Sequence, residues 1–240
     1  MVLWTGALGL KGGKSDLYED LKRQILTMEL DPDQDLDEAS LSEQYGLSRT
    51  PVREIFRRLE GEGYIDIRAN RGARVSPMSH ESLRQFFMVA PLVYAAIGRL
   101  AVQNFRPKQL DELCATQERF RAASQSGDAT AMVIENNRFH EIIGEMSGNP
   151  YLQPSLRRLL IDHARIGKTF FRPRNEDMQE RLRLAVEHHD AFIEAIREHD
   201  EDRFVKLVFD HWELSRANME LFVAPRELKA DFLPEAAPQS

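Results

Sequence analysis

Apolar positions recur at helical spacing through most of the chain, and one short stretch near residue 65 breaks that rhythm. Leu17, Leu21, Ile25 and Met28 predict an amphipathic helix over residues 15–28. A turn around Asp31-Pro32-Asp33 follows. Asp37 or Glu38 then precedes a second helix, where a carboxylate complements the helix dipole. That helix carries Leu41 and Tyr45 and ends at Gly46. Ser48 is placed to cap a third helix, with Pro51 in a first turn that needs no N–H donor there. Val52, Ile55, Phe56 and Leu59 share one face of this helix, which leaves Arg49, Arg53 and Arg57 pointing outward. A period of two then takes over. Tyr64, Ile65 and Ile67, a turn at Asn70-Arg71-Gly72 and a return through Arg74-Val75 predict a two-stranded hairpin. An apolar back, an arginine front and a β wing are what a winged helix-turn-helix needs to set a recognition helix in a major groove.

Ser76-Pro77-Met78-Ser79 marks the end of this unit. From there to about Val223 only helical periodicity is present. It predicts helices over residues 81–104, with Pro91 as a kink or break, then 107–125, 128–146, 151–171, 175–199 and 200–223. Short connections fold such helices into an antiparallel bundle. The predicted fold class is mainly α: an N-terminal winged helix-turn-helix plus a C-terminal all-α antiparallel helical bundle. The predicted division is a disordered lead-in at 1–14, a DNA-binding domain at 15–78, an all-helical domain at 79–224 and a disordered, proline-bearing tail at 225–240.

Charge sharpens the first half of this picture. The chain of 240 residues carries a net charge of −7, yet between Ser48 and Arg74 seven arginines face only four carboxylates. A basic island in an acidic chain fits one nucleic-acid-binding face, with Arg71 carried on the hairpin tip toward phosphate or the minor groove. The competing reading, an amphipathic hairpin with solvated arginines, does not explain why cap, turn and wing all agree. No apolar run approaches the ~20 residues that span a bilayer. The opening MVLWTGALGL lacks the basic start and long apolar core of a signal peptide. A cytoplasmic protein without membrane association is therefore expected. The single Cys114 excludes an internal disulfide and is expected to be buried and inert.

The candidate chemistry of the second half lies in its histidines. His140 follows Asn136 by one turn, so both project from one face. His189 continues into the stripe of Phe192, Ile193 and Ile196, and His211 shares a face with Leu207, Val208 and Leu214. Imidazoles on three inward stripes are either metal ligands meeting at the bundle centre, with an oxygen from Asn136, or ordinary core histidines. Spacing leaves both readings open.

The stretch SEQYGLSRTPVREIFRRLEGEGYIDIRANRGARV, residues 42–75, resembles the winged helix-turn-helix of the GntR transcription regulators, and SRTPVRE is its specific core. The resemblance implies operator binding by a dimer. The family's base- and phosphate-contacting positions fall on Arg49, Thr50 and Arg53, with Arg71 and Gly72 in the wing and Arg57 on the same helix face. A basic residue that some members place at the start of the first motif helix is Ala39 here. Residues 79–223 resemble the FCD domain, the helical effector module of one GntR subgroup, through N-N-R-F-H (136–140), Gly148-Asn149, His189-Asp190-Ala191-Phe192, Ala195-Ile196, Asp200 and His211.

This second resemblance implies an effector-binding and dimerisation domain. It implies a divalent metal (zinc, nickel or manganese) on Asn136, His140, His189 and His211, with a small carboxylate effector at an open coordination position. Asn136 stands where the family has Asp, which removes one negative charge from the ligand set. The family's carboxylate-clamping Arg and its Glu align with Ala90 and Tyr94, so the effector needs another anchor, for which Arg99, Arg157 and Arg165 are candidates. His188 and His199 are expected at the surface.

The implied function is a repressor: a homodimer on palindromic double-stranded operator DNA, controlled by a metabolite, and not an enzyme. Two readings compete with it. A metal-dependent enzyme could use the same histidines, although no paired carboxylate is poised as a general base. An effector-independent architectural DNA binder would need no cavity at all.

Overall fold

The computed structural model describes residues 13–68 and 72–223, with side chains described as far as Leu214. The predicted lead-in, apart from residues 13 and 14, lies outside the described residues, as do the predicted tail and Arg71 at the wing turn.

The N-terminal unit runs α1 (Lys14–Leu26), β1 (Asp35–Leu36), α2 (Glu38–Tyr45), α3 (Arg49–Glu62), β2 (Ile65–Arg68) and β3 (Gly72–Val75). Its core is the predicted one: Val52, Ile55, Phe56 and Leu59 of α3 are buried in one cluster with Leu17, Leu21 and Ile25 of α1 and Tyr45 of α2. Asp37 caps α2, its carboxylate accepting from the Ser40 amide at 2.7 Å. Ser48 holds the N-cap position of α3 in extended backbone, but its hydroxyl makes no capping bond.

The wing differs from expectation by one strand. β1 pairs antiparallel with β3, Asp35 opposite Arg74 and Leu36 opposite Ala73, giving the order β1-β3-β2. Two residues are too few to display a period of two, so β1 is invisible as a pattern and declares itself only through its partner. Gly72 makes the close approach possible: its φ is +74°, and a Cβ there would lie 2.6 Å from the Leu36 carbonyl oxygen.

The helical domain contains α4 (His80–Asn104), α5 (Pro107–Ser126), α6 (Ala129–Ser147), α7 (Leu152–Phe170), α8 (Glu176–Arg197) and α9 (Glu201–Val223), each within two residues of its predicted span. Pro91 lies inside α4 without ending it, and buried Ala90, Tyr94 and Ile97 hold the helix across the missing hydrogen bond. α4 is the central helix, packed on α6, α7 and α9. Contrary to the sequence expectation, it is long and apolar enough to cross a membrane by length and composition. One side of it is core: Leu83, Phe86, Ala90, Tyr94, Ile97 and Ala101 are buried, while Met88, Val89 and Leu92 stand exposed.

α7 faces both domains. Arg158 lies against Gly63, the residue that closes α3 with φ +87°. Lys168 donates to the Met28 carbonyl beyond α1 at 3.0 Å. Between them the fully buried Arg165 donates to the carbonyl and hydroxyl of Ser76 at 3.1 and 2.9 Å and sits 3.4 Å from Asp162. Residues 158, 162 and 165 share one helix face. His163 and Gly167 lie on the opposite face, toward the bundle interior.

The packing of α4 on α9 is tight enough to test. The Phe204 ring occupies the space where a β carbon on Gly98 would project, and Phe204 is 2% exposed. Gly98→Val is expected to destabilise the protein by about 2 kcal/mol or more through overpacking, read as a lower urea midpoint. An unchanged midpoint would mean that this contact is loose.

Candidate functional site

Arg49, Thr50, Arg53 and Arg57 are all exposed on α3. Arg49, Arg53 and Arg57 line one shallow concavity between the start of α2 and the wing, joined there by Gly72 and by Arg68, with Phe56 and Ile67 in the same lining. Arg68 was not singled out from the sequence; its signal is its place at the end of an exposed strand, facing the same groove. Ala39 also borders the groove. Arg53 is not free: its Nε donates to the Glu38 carboxylate at 2.8 Å. Arg58 faces away, stacked 3.6 Å over the Tyr18 ring and paired with Glu62. Arg74 pairs with Asp35.

In the helical domain, α6, α8 and α9 bring His140, His189 and His211 together. One ring nitrogen of each lies within 4.8 Å of the other two, and all three residues are buried. Nε2 of His140, Nε2 of His189 and Nδ1 of His211 are buried without a hydrogen-bond partner. Buried polar atoms are normally satisfied, so three unsatisfied imidazole nitrogens at one place mark a candidate ligand site. Three neutral imidazole nitrogens so placed could hold a divalent cation. Asn136, also buried, lines the adjoining space with His163 and His211.

His189 shows how the ligand set is oriented. Its Nδ1 lies 3.0 Å from Oε1 of Gln117, while Nε2 of Gln117 donates to the Val186 carbonyl and to Asp190 at 2.9 and 3.0 Å. Two acceptors on the amide nitrogen leave its oxygen toward His189. Nδ1 therefore carries the proton and Nε2 presents a lone pair inward. Phe139 stacks on the ring at 4.0 Å and 3°, fixing its plane. Desolvation, reinforced by neighbouring imidazoles, keeps the cluster neutral: His140 and His211 are held well below the usual histidine range, and His189 is pushed down to about 3. Neutral imidazole is the form that ligates metal.

A fourth histidine belongs here. His163 on α7 has its ring 4.9 Å from that of His140, and its Nδ1 is 2.7 Å from the Tyr94 hydroxyl. Burial lowers its pKa to about 4. Tyr94, His140, His163, His211 and Trp212 line one apolar cavity with free space of about 20 Å³, enough for one water-sized species. His188 is half-buried rather than at the surface, its ring 5.6 Å from that of His211. His199 is exposed as expected, and Cys114 is half-buried rather than buried, with an Arg197 guanidinium nitrogen 3.2 Å from its sulfur.

The three arginines named as effector anchors lie elsewhere. Arg99 is paired on the surface with Glu201 and Asp202 at 3.0 and 2.8 Å. Arg157 lines the crevice between the domains, and Arg165 is committed to Ser76. Among the described residues, no lysine or arginine lines the histidine cavity or the space beside it.

Comparison with known proteins agrees with this two-part architecture. The model for bacterial regulatory proteins of the gntR family matches residues 14–75, and the FCD domain model matches residues 92–214. The uncharacterized HTH-type transcriptional regulator YdhC of Bacillus subtilis is 23% identical over 197 residues, covering 81% of this chain and 85% of its own length. A probable D-xylose utilization operon transcriptional repressor of Paenarthrobacter nicotinovorans is 28% identical over 115 residues, 48% of this chain and 50% of that protein. The solved structure of McbR/YncC from Escherichia coli shares the fold, with a TM-score of 0.73 and 22% identity over 87% of this chain and 97% of that one. The domains occur in the matching order and the matched proteins are regulators, not enzymes: the chain belongs to the GntR family of bacterial DNA-binding transcription regulators, in the subgroup that carries an FCD domain.

Proposed function

We propose that this chain acts as a cytoplasmic homodimeric repressor whose operator affinity is set by a small organic acid bound at a divalent metal in the helical bundle. The observation that carries this reading is the convergence of three buried, unpartnered imidazole nitrogens on His140, His189 and His211. The residues fit such a group: those three imidazoles would hold it, with the Asn136 amide oxygen beside them. A divalent metal held there, such as zinc, nickel or manganese, would supply a positive charge for an oxygen ligand. Gln117 and Phe139 keep His189 aimed inward.

α7 connects the cavity to the DNA-binding unit. Its His163 side borders the cavity, while its Arg165 side clasps Ser76 where the chain leaves the wing. An effector that prefers one placement of α7 thereby prefers one placement of the recognition helices. The exposed apolar residues Met88, Val89 and Leu92 on α4 support a dimer face. A dimer sets two copies of α3 roughly 34 Å apart, one DNA turn, on a palindrome. Both competing readings are weaker. A metal-dependent enzyme conflicts with the family, and an effector-independent architectural binder leaves the unsatisfied histidines without a purpose.

Three outcomes test this reading. Arg53→Ala is expected to weaken operator binding by about 1–3 kcal/mol and to relax one base position; binding to a set of singly substituted operators at fixed salt measures both, and unchanged affinity would remove Arg53 from the interface. Elemental analysis of the untagged protein is expected to give close to one metal per chain, lost in His140→Ala and held more tightly in Asn136→Asp; no metal in any of the three would sink the metal centre. The third outcome concerns pH in the chelated protein. Each buried imidazole has its folded pKa depressed, so the unfolded chain binds more protons and stability falls as pH drops below the unfolded value of about 6.5. By pH 5 that loss is expected to reach about 2 kcal/mol for each histidine that stays neutral in the fold, seen as a lower urea midpoint than at pH 7. Equal midpoints would mean that these imidazoles are not buried in solution.

A further inference from the structure

Three neutral imidazoles and an amide contribute no negative charge against a divalent cation, and the pocket around them is apolar. Uncompensated charge in such surroundings is unfavourable, so the position left open calls for an anion. A carboxylate that binds the cation through one oxygen leaves the second oxygen facing the cavity wall. That oxygen must find a donor on the wall, and among the described residues no lysine or arginine is present there.

What is present is an uncharged pair. The Tyr94 hydroxyl and Nδ1 of His163 are 2.7 Å apart. Both rings lie beside His140, with centroids 5.4 Å away for Tyr94 and 4.9 Å for His163. The pair behaves alike in either tautomer. If the phenol donates to Nδ1, His163 keeps an Nε2–H; if Nδ1–H donates to the phenol oxygen, Tyr94 keeps its O–H. One neutral donor is always left over. The rest of the lining is aliphatic or aromatic, including Ile97, Ile143, Val208 and Trp212. A second carboxylate would be buried against these residues without a partner.

We propose that Tyr94 and His163 are the effector-reading residues of this cavity, and that it takes a monocarboxylate with an apolar or aromatic body and rejects dicarboxylates. This rests on the metal reading above. The free space of about 20 Å³ is too small for such a ligand as it stands, so binding displaces part of the lining. Trp212 borders both this cavity and the neighbouring space lined by Phe86 and Phe87. Moving the indole joins the two spaces, so its emission follows occupancy.

The test uses the full chain carrying Trp4→Phe, so that Trp212 alone emits, loaded with zinc and assayed for zinc content before and after titration. Benzoate and isophthalate differ by one carboxylate. Benzoate is expected to shift the emission saturably, and isophthalate to bind at least tenfold more weakly. Tyr94→Phe and His163→Leu are each expected to weaken benzoate about tenfold with zinc content unchanged. Tyr94→Phe, which keeps the ring, guards against a folding defect in the other variant. Full zinc content with equal affinity for the two acids, or with benzoate affinity untouched in both variants, would overturn the proposal while leaving the metal centre standing. Failure of the parent chain to retain zinc would overturn the metal centre itself and the proposal with it.

Discussion

A guanidinium taken wholly out of water must find its acceptors in protein, and the terminal nitrogens of Arg165 reach Ser76 across the boundary between the two domains, while its Nε has no partner. Its side chain has no solvent exposure, and its two terminal nitrogens are spent on Ser76 and Asp162. Withdrawing Ser76 would strand a buried charge, which costs far more than an exposed ion pair contributes. The exit of the wing is therefore tied to α7, and α7 also walls the histidine cavity. Packed interiors pass on displacements instead of absorbing them. A shift of α7 thus either carries the wing along or breaks the most deeply buried charged contact between the domains.

Most of the fold was legible because its signals are local. Gly46 and the arginine-bearing third helix each act within a few residues, and the six-helix rhythm of the second domain needed only period counting. What escaped the sequence depends on partners far along the chain. β1 exists through β3, residues apart by nearly forty positions. Tyr94 meets His163 across a separation of 69 residues. The arginine candidates illustrate the same limit. Residue type marks Arg157 and Arg165 of α7 but cannot say what each one meets, and they meet the crevice between the domains and Ser76.

The histidines divide along the same line. Their residue type and stripe positions marked them, whereas their unsatisfied state is a tertiary fact. It is also a burden. Four imidazoles held neutral in an apolar interior, three with an orphaned nitrogen, lower the stability of a chain that has nothing bound there. The stacking of Phe139 and the hydrogen bond that His189 donates to Gln117 do not relieve that burden; they keep His189 in the orientation that creates it.

The pairing of Arg53 with Glu38 bears on how the DNA-facing groove behaves before it meets DNA. Association with a polyelectrolyte is driven largely by release of mobile cations condensed on its phosphates, in proportion to the number of free positive charges that replace them. An arginine that already holds a carboxylate is a weaker participant in that exchange. To use it, the groove must open an internal ion pair and leave Glu38 facing a negatively charged surface. Random duplex offers little in return for that rearrangement, while a base edge shaped for a guanidinium fork offers two directed hydrogen bonds. With Arg53 at the DNA interface as proposed, the pair would act as a discount on indiscriminate attraction, turning part of the basic island from a general adhesive into a conditional one.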